Sequence, residues 1–285
     1  MRARILGSSA GGGLPQWNCG CRNCEAVRRG DPRVTARTHD SLGVFGRDGT
    51  AVLCNASPDI ASQLAAAPAL HPRDRRHTPV AAIVLTNAEL EHVAGLALVA
   101  DQPLAVYSTD AVRRAVAARY PGLFTWRQLE LDREVELADV AGQPTGIVVR
   151  PCALPGRHAE PETNIGVALA CAHTGKTIVY APACANPPPH FGDDADVLLF
   201  DGTFWSNDEL LLQELSNTRA VDLAHLPVGS LHGSLVGLAR CTAKQKLYTH
   251  VNNTNPMLRH DSRERLAVVE AGWDIAEDGI EIELG

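Results

Sequence analysis

The amino-acid sequence predicts an α/β fold, an αββα sandwich of four layers in which two β-sheets pack together and helices cover the outside. Three observations lead to this prediction. A β-hairpin precedes alternating strands and helices, and this order recurs in the second half of the chain. Residues 83–86 have β-branched or leucine side chains, which is typical of a strand buried on both faces. No stretch is long and polar enough to be a linker, so we expect residues 1–285 to form one domain.

The elements of the first half follow from local patterns. The polar segment 46–50 lies between two apolar runs and predicts a hairpin. Thr109 is a typical N-cap, and Pro121-Gly122 ends the helix that follows it. These signals predict a strand over 2–6, hairpin strands over 42–45 and 51–54, a helix over 57–67, a strand over 83–86, a helix from 89 or 90, a strand over 104–107 and a helix over 110–120.

The second half repeats this alternation. It predicts strands over 147–152, 165–172, 177–180 and 197–200, a helix over 234–240, a strand over 246–250, a helix over 262–271 and a terminal strand over 280–284.

Composition and charge exclude several classes of function. The net charge is −7, and the only cluster of basic residues is Arg73 to Arg76, so nucleic acid is not an expected partner. No apolar run approaches the roughly 18 residues of a membrane span, and the N-terminus lacks the apolar core of a signal peptide. We therefore expect a cytoplasmic protein with no membrane partner. A homodimer is compatible with the sequence.

The cysteines divide into a cluster and a scattered set. Cys19, Cys21 and Cys24 are separated by one and two residues, so their thiolates can converge on one cation. This spacing predicts a structural zinc site whose fourth ligand comes from elsewhere, and a redox CxxC is the alternative interpretation. The other five cysteines lie mostly in apolar runs and are interpreted as core thiols: Cys54, Cys152, Cys171, Cys184 and Cys241.

A second set of polar residues interrupts or follows apolar runs. Glu91 and His92 follow the strand at 83–86, Asp201 ends another strand, His250 ends a third, and His225 lies in a short apolar segment. Ligands and metals collect at the carboxyl ends of strands in α/β folds. Each residue alone could equally be a satisfied core or surface residue, but together they predict a functional site.

These residues carry a resemblance to known proteins. Residues 86–92 resemble the T-H-x-H-x-D-H motif of the metallo-β-lactamase superfamily, and Asp201 and His250 resemble its later metal ligands. Four segments are similar to the pyrroloquinoline quinone (PQQ) biosynthesis protein B family, PqqB: residues 6–19, 53–60, 201–205 and 250–256.

The resemblance implies a metallo-β-lactamase-like fold with an altered metal site. Asn87 and Glu89 replace the two histidines of the superfamily's first metal site. A second site remains, with Glu91, His92 and His250 as ligands and Asp201 to bridge or support them. Two histidines with one or two carboxylates are the ligand set of non-haem iron(II) oxygenases. The resemblance therefore implies one Fe²⁺, although Glu91 stands where the family usually has aspartate.

The PqqB resemblance also implies a reaction and a substrate. The family is associated with iron-dependent hydroxylation of the tyrosine ring in a peptide-derived, cross-linked glutamate–tyrosine intermediate. His225 is then a candidate proton donor or base. Arg157 and His158 are candidates for binding substrate carboxylates, with an exposed loop as the alternative.

The zinc site departs from its relatives at one ligand. Related phosphodiesterases of the superfamily complete this site with a histidine where this chain has Asn253. The candidates for the fourth zinc ligand are therefore the oxygen of Asn253, a nearby histidine and water. Two other functions also remain open: a metal-dependent hydrolase such as a phosphodiesterase, with Glu89 as an additional ligand, and a non-catalytic carrier of PQQ or its precursor.

Overall fold

A computed structural model describes residues 1–158 and 160–285 of the chain. Its strands form two seven-stranded sheets. The first sheet contains β1 (Arg2–Gly7), β2 (Ser41–Phe45), β3 (Ala51–Cys54), β4 (Val80–Val84), β5 (Ala105–Ser108), β6 (Thr125–Gln128) and β14 (Glu281–Glu283). The second contains β7 (Val135–Ala138), β8 (Pro144–Ala153), β9 (Ile165–Cys171), β10 (Thr177–Ala181), β11 (Val197–Asp201), β12 (Gln245–Thr249) and β13 (Asp274–Ile275).

The two sheets have closely related topologies. The first has the order β14-β1-β2-β3-β4-β5-β6, and the second has the order β13-β12-β11-β10-β9-β8-β7. In each sheet antiparallel strands come first, and four neighbouring strands, β3 to β6 or β10 to β13, then run parallel. The carboxyl ends of the parallel strands in one sheet therefore lie at the same edge, where polar residues from distant segments can meet.

Helices occupy the outside of both sheets. They are α1 (Arg22–Arg28), α2 (Ile60–Ala65), α3 (Leu90–Val93), α4 (Leu96–Val99), α5 (Asp110–Ala117), α6 (Glu209–Leu212), α7 (Ser234–Gly237) and α8 (Arg263–Glu270). Single 3₁₀ turns lie at Pro68–Leu70, Pro161–Thr163, Val221–Leu223 and Pro256–Leu258. In the described part of the chain, no helix is long and apolar enough to cross a membrane.

Three apolar clusters account for the layers. The central one is built from both sheets and includes Ile5, Val84, Ile147 and Leu247. A second cluster lies outside the first sheet and contains buried residues of α2 to α5. A third lies outside the second sheet and contains the three clustered cysteines. The predicted αββα sandwich is thus confirmed, because each sheet buries one face against the other sheet and the opposite face against helices.

The sequence missed some short elements at the sheet edges. Among the described strands, β6 pairs with β5 alone. Its side chains are exposed or half-buried, so it lacks the apolar alternation of a half-buried strand. β7 ends the second sheet and β13 has only two residues. The helix predicted over 234–240 is shorter than expected, because Ser234–Gly237 forms only a single turn.

Two candidate metal centres

Three histidines converge between the two sheets. His92 lies on α3, the next element after β4, whereas His250 follows β12 of the other sheet. His225 follows the 3₁₀ turn Val221–Leu223. The ring centroids of His92 and His250 are 5.1 Å apart, and those of His225 and His250 are 5.5 Å apart. The three imidazoles therefore line one pocket together with Glu91, Arg157 and His158.

Hydrogen bonds fix the tautomer of His92. Its Nδ1 lies 2.7 Å from Oδ1 of Asn87, and the same oxygen accepts a bond from the backbone N–H of Glu89. Since an amide oxygen only accepts, Nδ1 of His92 carries the proton and Nε2 keeps its lone pair. Asn87, which replaces a metal-binding histidine of the superfamily motif, thus orients the histidine that remains.

The same logic applies to His250. Its Nδ1 lies 2.8 Å from Oγ1 of Thr203, whose hydroxyl donates to Oδ1 of Asp201 at 2.6 Å. Among the described residues, the Nε2 atoms of His92 and His250 are buried and have no hydrogen-bond partner. A buried lone pair with its opposite nitrogen held in this way is the usual arrangement of a metal-binding histidine.

Burial keeps both imidazoles neutral. It lowers the pKa of His92 to about 3, and the nearby His225 adds to this effect. Burial, with a further contribution from His92, also lowers the pKa of His250 to about 3. Neutral imidazole is the form that binds a metal, so both side chains are ready to do so at neutral pH.

Asp201 is buried and fully engaged by protein groups. Oδ2 accepts from Nδ1 of His225 at 2.7 Å and from the backbone N–H of Cys184 at 2.8 Å. Oδ1 accepts from the backbone and the side chain of Thr203. Burial acts to raise the pKa of Asp201, but His225 and the hydrogen bonds outweigh it and hold that pKa below its usual value. Asp201 therefore acts here as an ionised support for His225 and His250.

The geometry also changes the candidate ligand set. Within residues 1–158 and 160–285, Asp201, His225 and His250 form a group whose potential ligand atoms all lie within 4.8 Å of one another. Glu91 and His92 are in no such group of three, although both line the same pocket and the His92 ring centroid lies 5.1 Å from that of His250. His92 therefore stays a predicted ligand, as does Glu91, and His225 becomes a candidate third imidazole.

The second centre is the cysteine cluster. The Sγ atoms of Cys19, Cys21 and Cys24 lie within 4.8 Å of one another, and all three residues are buried. Cys21 is also the N-cap of α1 and accepts from the backbone N–H of Cys24. Backbone N–H groups of Gln16 and Cys21 point at the sulfurs of Cys24 and Cys19, which favours thiolates and suits a closed zinc site.

Asn253 lies over the three sulfurs. Its Nδ2 is 3.1, 3.4 and 3.3 Å from the Sγ atoms of Cys19, Cys21 and Cys24. The amide thus stands where a fourth ligand belongs, and turning it by half a revolution would present Oδ1 to a cation instead. Its role as a zinc ligand stays a prediction.

Arg157 and His158 are exposed at the mouth of the histidine pocket. The Nη1 atom of Arg157 lies 3.8 Å from a carboxylate oxygen of Glu89, and its Nε donates to the backbone oxygen of Leu223. An exposed pair at this distance is weak. The Arg157 guanidinium is therefore accessible to an anionic ligand, although the structure also fits the alternative of an exposed loop.

Sequence reasoning missed two supporting residues, Asn87 and Thr203. In the sequence, Asn87 indicated only that a metal-binding histidine of the superfamily motif is replaced. Its contact with His92 depends on the turn between β4 and α3. Thr203 lies two residues after Asp201, inside a segment that carried the family resemblance, and this position was the only available signal.

Comparisons with known proteins agree with this geometry. A family model described as a β-lactamase superfamily domain matches residues 50–251. The αββα sandwich, with a histidine cluster between its sheets, defines a protein of the metallo-β-lactamase fold with groups suited to bind metal.

The relatives narrow this class to one family. The chain is 38% identical to coenzyme PQQ synthesis protein B of Cupriavidus taiwanensis, over 99% of both sequences, and 40% identical to that of Cupriavidus necator, again over 99% of both. The crystal structure of Zn²⁺-bound PqqB from Methylobacterium extorquens is 33% identical, covers 100% of each chain and superposes with a TM-score of 0.90. The chain therefore belongs to the PqqB family of PQQ synthesis, which confirms the resemblance and the fold predicted from the sequence.

A more distant structure shares the fold alone. A diphosphatase of the PhnP family has a TM-score of 0.73 at 18% identity, over 100% of this chain and 98% of the other.

Proposed function

We propose that this protein is an iron-dependent hydroxylase that acts on the tyrosine ring of a peptide-derived glutamate–tyrosine intermediate of PQQ synthesis. One observation carries the proposal: two neutral, buried imidazoles, whose Nε2 atoms have no hydrogen-bond partner in the described part of the chain, line a pocket that also holds carboxylates. Two histidines with a carboxylate and open positions are the donor set of non-haem iron oxygenases. The bound Zn²⁺ of the Methylobacterium extorquens relative supports a metal at this kind of fold.

The residues present fit one ferrous ion. His92 and His250 would hold it through Nε2, with Glu91 or His225 as the next ligand. When bound, the ion would supply the dioxygen chemistry that the ring hydroxylation needs. Such a hydroxylation places one atom of dioxygen in a C–H bond, releases the other as water, and consumes two electrons and two protons from an added reductant.

The remaining residues prepare the substrate. Asp201 accepts from Nδ1 of His225. With Glu91 as the third ligand, Nε2 of His225 would stay free to take or return the phenolic proton of the substrate. Arg157 would bind a substrate carboxylate, since a guanidinium binds carboxylates with two parallel hydrogen bonds. At the other centre, zinc held by the three cysteines would serve a structural role.

The experiment uses the full chain loaded anaerobically with Fe²⁺. Ascorbate, isotopically labelled dioxygen and a glutamate–tyrosine compound are then added, and the products are examined by mass spectrometry. We expect one labelled oxygen atom in the ring for the iron-loaded protein and none for the zinc-loaded protein. Absence of label with iron bound at the histidine pocket would contradict the proposal.

A hydrolase is the second candidate, and the close group of Asp201, His225 and His250 favours it, because clustered histidines and carboxylates also hold catalytic zinc. Metal analysis separates the two candidates. The hydroxylase predicts one iron besides the cysteine-bound zinc, whereas the hydrolase predicts two further zinc ions and cleavage of a phosphodiester.

A further inference from the structure

A buried carboxylate, Asp40, lies between the two sheets and outside the residues assigned so far. It directly precedes β2 of the first sheet and is 1% exposed. Its carboxylate accepts hydrogen bonds from the hydroxyls of Tyr180 and Thr249, which lie on β10 and β12 of the second sheet. Asp40 thus connects the sheet that leads into His92 with the sheet that leads into His250.

One branch of this network reaches His250 along the chain. Thr249 is the residue before His250, and its hydroxyl donates to the Asp40 side chain. His250 has a φ of 53°, in the left-handed region that residues with a side chain occupy only where their surroundings hold them. The contacts of Asp40 therefore act at the position where the backbone turns the imidazole into the pocket.

The other branch reaches His92 through side chains. The Tyr180 hydroxyl accepts from Nδ2 of Asn55 at 3.2 Å, and Oδ1 of Asn55 accepts from the backbone and hydroxyl of Thr86 at 3.0 and 3.1 Å. The Thr86 hydroxyl lies 3.5 Å from Nδ1 of His92. Asn55 also has a positive φ, of 66°, so this branch holds a second strained residue.

We propose that Asp40 is a positioning residue for the histidine centre. Through Thr249 on one side and Tyr180, Asn55 and Thr86 on the other, it sets the separation and orientation of His92 and His250. The proposal rests on the proposed function only in taking these two histidines as metal ligands. It is independent of the identity of the metal and of the reaction.

The network explains how an acidic residue is accommodated between the sheets. Burial raises the pKa of Asp40 to about 7, and the hydrogen bonds from Thr249 and Tyr180 oppose this rise. A buried carboxylate costs free energy unless hydrogen bonds satisfy it. Here one donor, Thr249, directly precedes His250, and the other, Tyr180, is linked to His92 through Asn55 and Thr86. The free energy of satisfying Asp40 is therefore coupled to the arrangement of the centre. Groups that support metal ligands in this indirect way typically change metal affinity by about 10–100-fold when they are removed.

The test uses Co²⁺ as a spectroscopic probe, with zinc already bound at the cysteine cluster. Asp40→Asn keeps the shape of the side chain but replaces one carboxyl oxygen, which accepts a hydrogen bond, with an amide nitrogen, which can only donate. We expect about 10–100-fold weaker Co²⁺ binding and an altered cobalt absorption spectrum, with the cysteine-bound zinc unchanged. His92→Ala identifies the part of the spectrum that belongs to the histidine centre.

Ser234→Ala is the matched control, because it removes a buried hydroxyl bond of 2.9 Å to Tyr248 that lies outside the network. We expect this control to keep the wild-type cobalt affinity and spectrum even if it is less stable. A folded Asp40→Asn protein with wild-type affinity and spectrum would overturn the proposal.

Tyr180→Phe and Thr249→Val each remove one hydrogen bond to Asp40. They keep the proposal testable if the Asp40→Asn protein does not fold. Each should show a smaller loss of cobalt affinity than Asp40→Asn. Wild-type cobalt binding in both would overturn the positioning role, as would a wild-type protein that binds no Co²⁺ at the histidines. A protein that binds cobalt as expected but never hydroxylates would refute the proposed function and leave the role of Asp40 intact.

Discussion

His92 and His250 show how a single hydrogen bond defines the chemistry of a residue. Asn87 and Thr203 hold the Nδ1 atoms, so the Nε2 lone pairs face the pocket. A buried acceptor without a partner costs about 1–3 kcal/mol. A bound cation would remove that cost, which is why these two atoms point to a metal rather than to packing alone.

At this scale we expect His92→Ala and His250→Ala each to abolish iron binding, because each removes one of the two Nε2 donors. Metal content by mass spectrometry checks this, and the cysteine-bound zinc should remain at one per chain. His173→Ala, at an exposed position, serves as the control and should bind iron normally. Retained iron in both pocket variants would show that the ligand assignment is wrong.

The low pKa of His92 predicts a pH dependence of stability. With a pKa of about 3 in the folded protein and an ordinary value near 6.5 when unfolded, His92 takes up a proton on unfolding between these pH values. Its neutral form thus stabilises the fold above about pH 6.5, and this contribution is lost as the pH falls toward 3.

His92→Gln should therefore gain stability relative to the wild type as the pH is lowered, by at most about 1.4 kcal/mol per pH unit. Urea unfolding of both proteins at several pH values, without metal at the histidines, measures this difference. A difference in unfolding free energy that does not change with pH would contradict the buried, neutral state of His92.

At the scale of elements, the short helices α3 and α4, which follow β4, hold His92 close to residues 56 and 57. The backbone N–H of Ala56 donates to the carbonyl of His92 at 2.7 Å, and Gly95 donates to Ala56 at 2.9 Å. A Cβ on Gly95 would lie 2.0 Å from the backbone oxygen of Ser57. Only glycine lets this segment approach residues 56 and 57 so closely.

Gly95→Ala should accordingly push α3 and α4 away from residues 56 and 57 and displace His92. We expect a loss of about 1–3 kcal/mol in unfolding free energy, together with weaker metal binding. Gly237→Ala is the matched control, since a Cβ there has no heavy atom within 4 Å among the described residues. Equal stability of the two variants would argue against the close approach.

The cysteine cluster is a second element whose stability we expect to depend on metal. The three cysteines belong to the apolar cluster outside the second sheet, and Cys21 caps α1. A structural zinc ion contributes its binding free energy to folding. Cys21→Ser should then lose zinc and lower the melting temperature by at least about 5 °C.

Calorimetry and zinc analysis check this expectation. Cys241→Ser provides the control, because Cys241 is half-buried and does not belong to the group of three cysteines that could hold zinc. If the melting temperature of Cys21→Ser equals that of the control, a structural role for zinc is wrong.

At the scale of the whole molecule, the histidine centre joins two sheets that share one plan. His92 comes from the half that contains β4 and His250 from the half that contains β12. A cation bound by both would add a cross-link to the apolar contacts between the sheets. Metal binding should therefore stabilise the complete fold rather than one loop.

The unfolding free energy should therefore rise with the concentration of free metal, as mass action requires. At a free metal concentration 100 times the Kd, the gain in unfolding free energy should be about 2.7 kcal/mol. Thermal unfolding during titration with Fe²⁺ or Co²⁺ measures it, with His250→Ala as the variant that should not respond. An equal response of the variant would place the metal elsewhere.

Three features show which parts of the structure the sequence patterns predict and which they do not. The N-cap at Thr109 was predicted from residue type and is present, with its side chain accepting from Val112. The edge strands β6 and β7 were not predicted, because an exposed strand lacks a periodic apolar face. His225 was predicted only as an acid or base, since its stacking on His250 depends on how distant loops pack.

The sequence by itself determined the cysteine cluster, the order of the buried strands and the longer helices, and the family, because spacing within a few residues and apolar periodicity are local properties. The tertiary structure alone decided that His92, His225 and His250 meet, which nitrogen of His92 and His250 faces the pocket, and that Asp40 ties the two sheets together. Burial of apolar surface is not directional, so it brings segments together without fixing the pairing of polar groups. That pairing depends on hydrogen bonds between residues far apart in the chain, which only the packed fold defines.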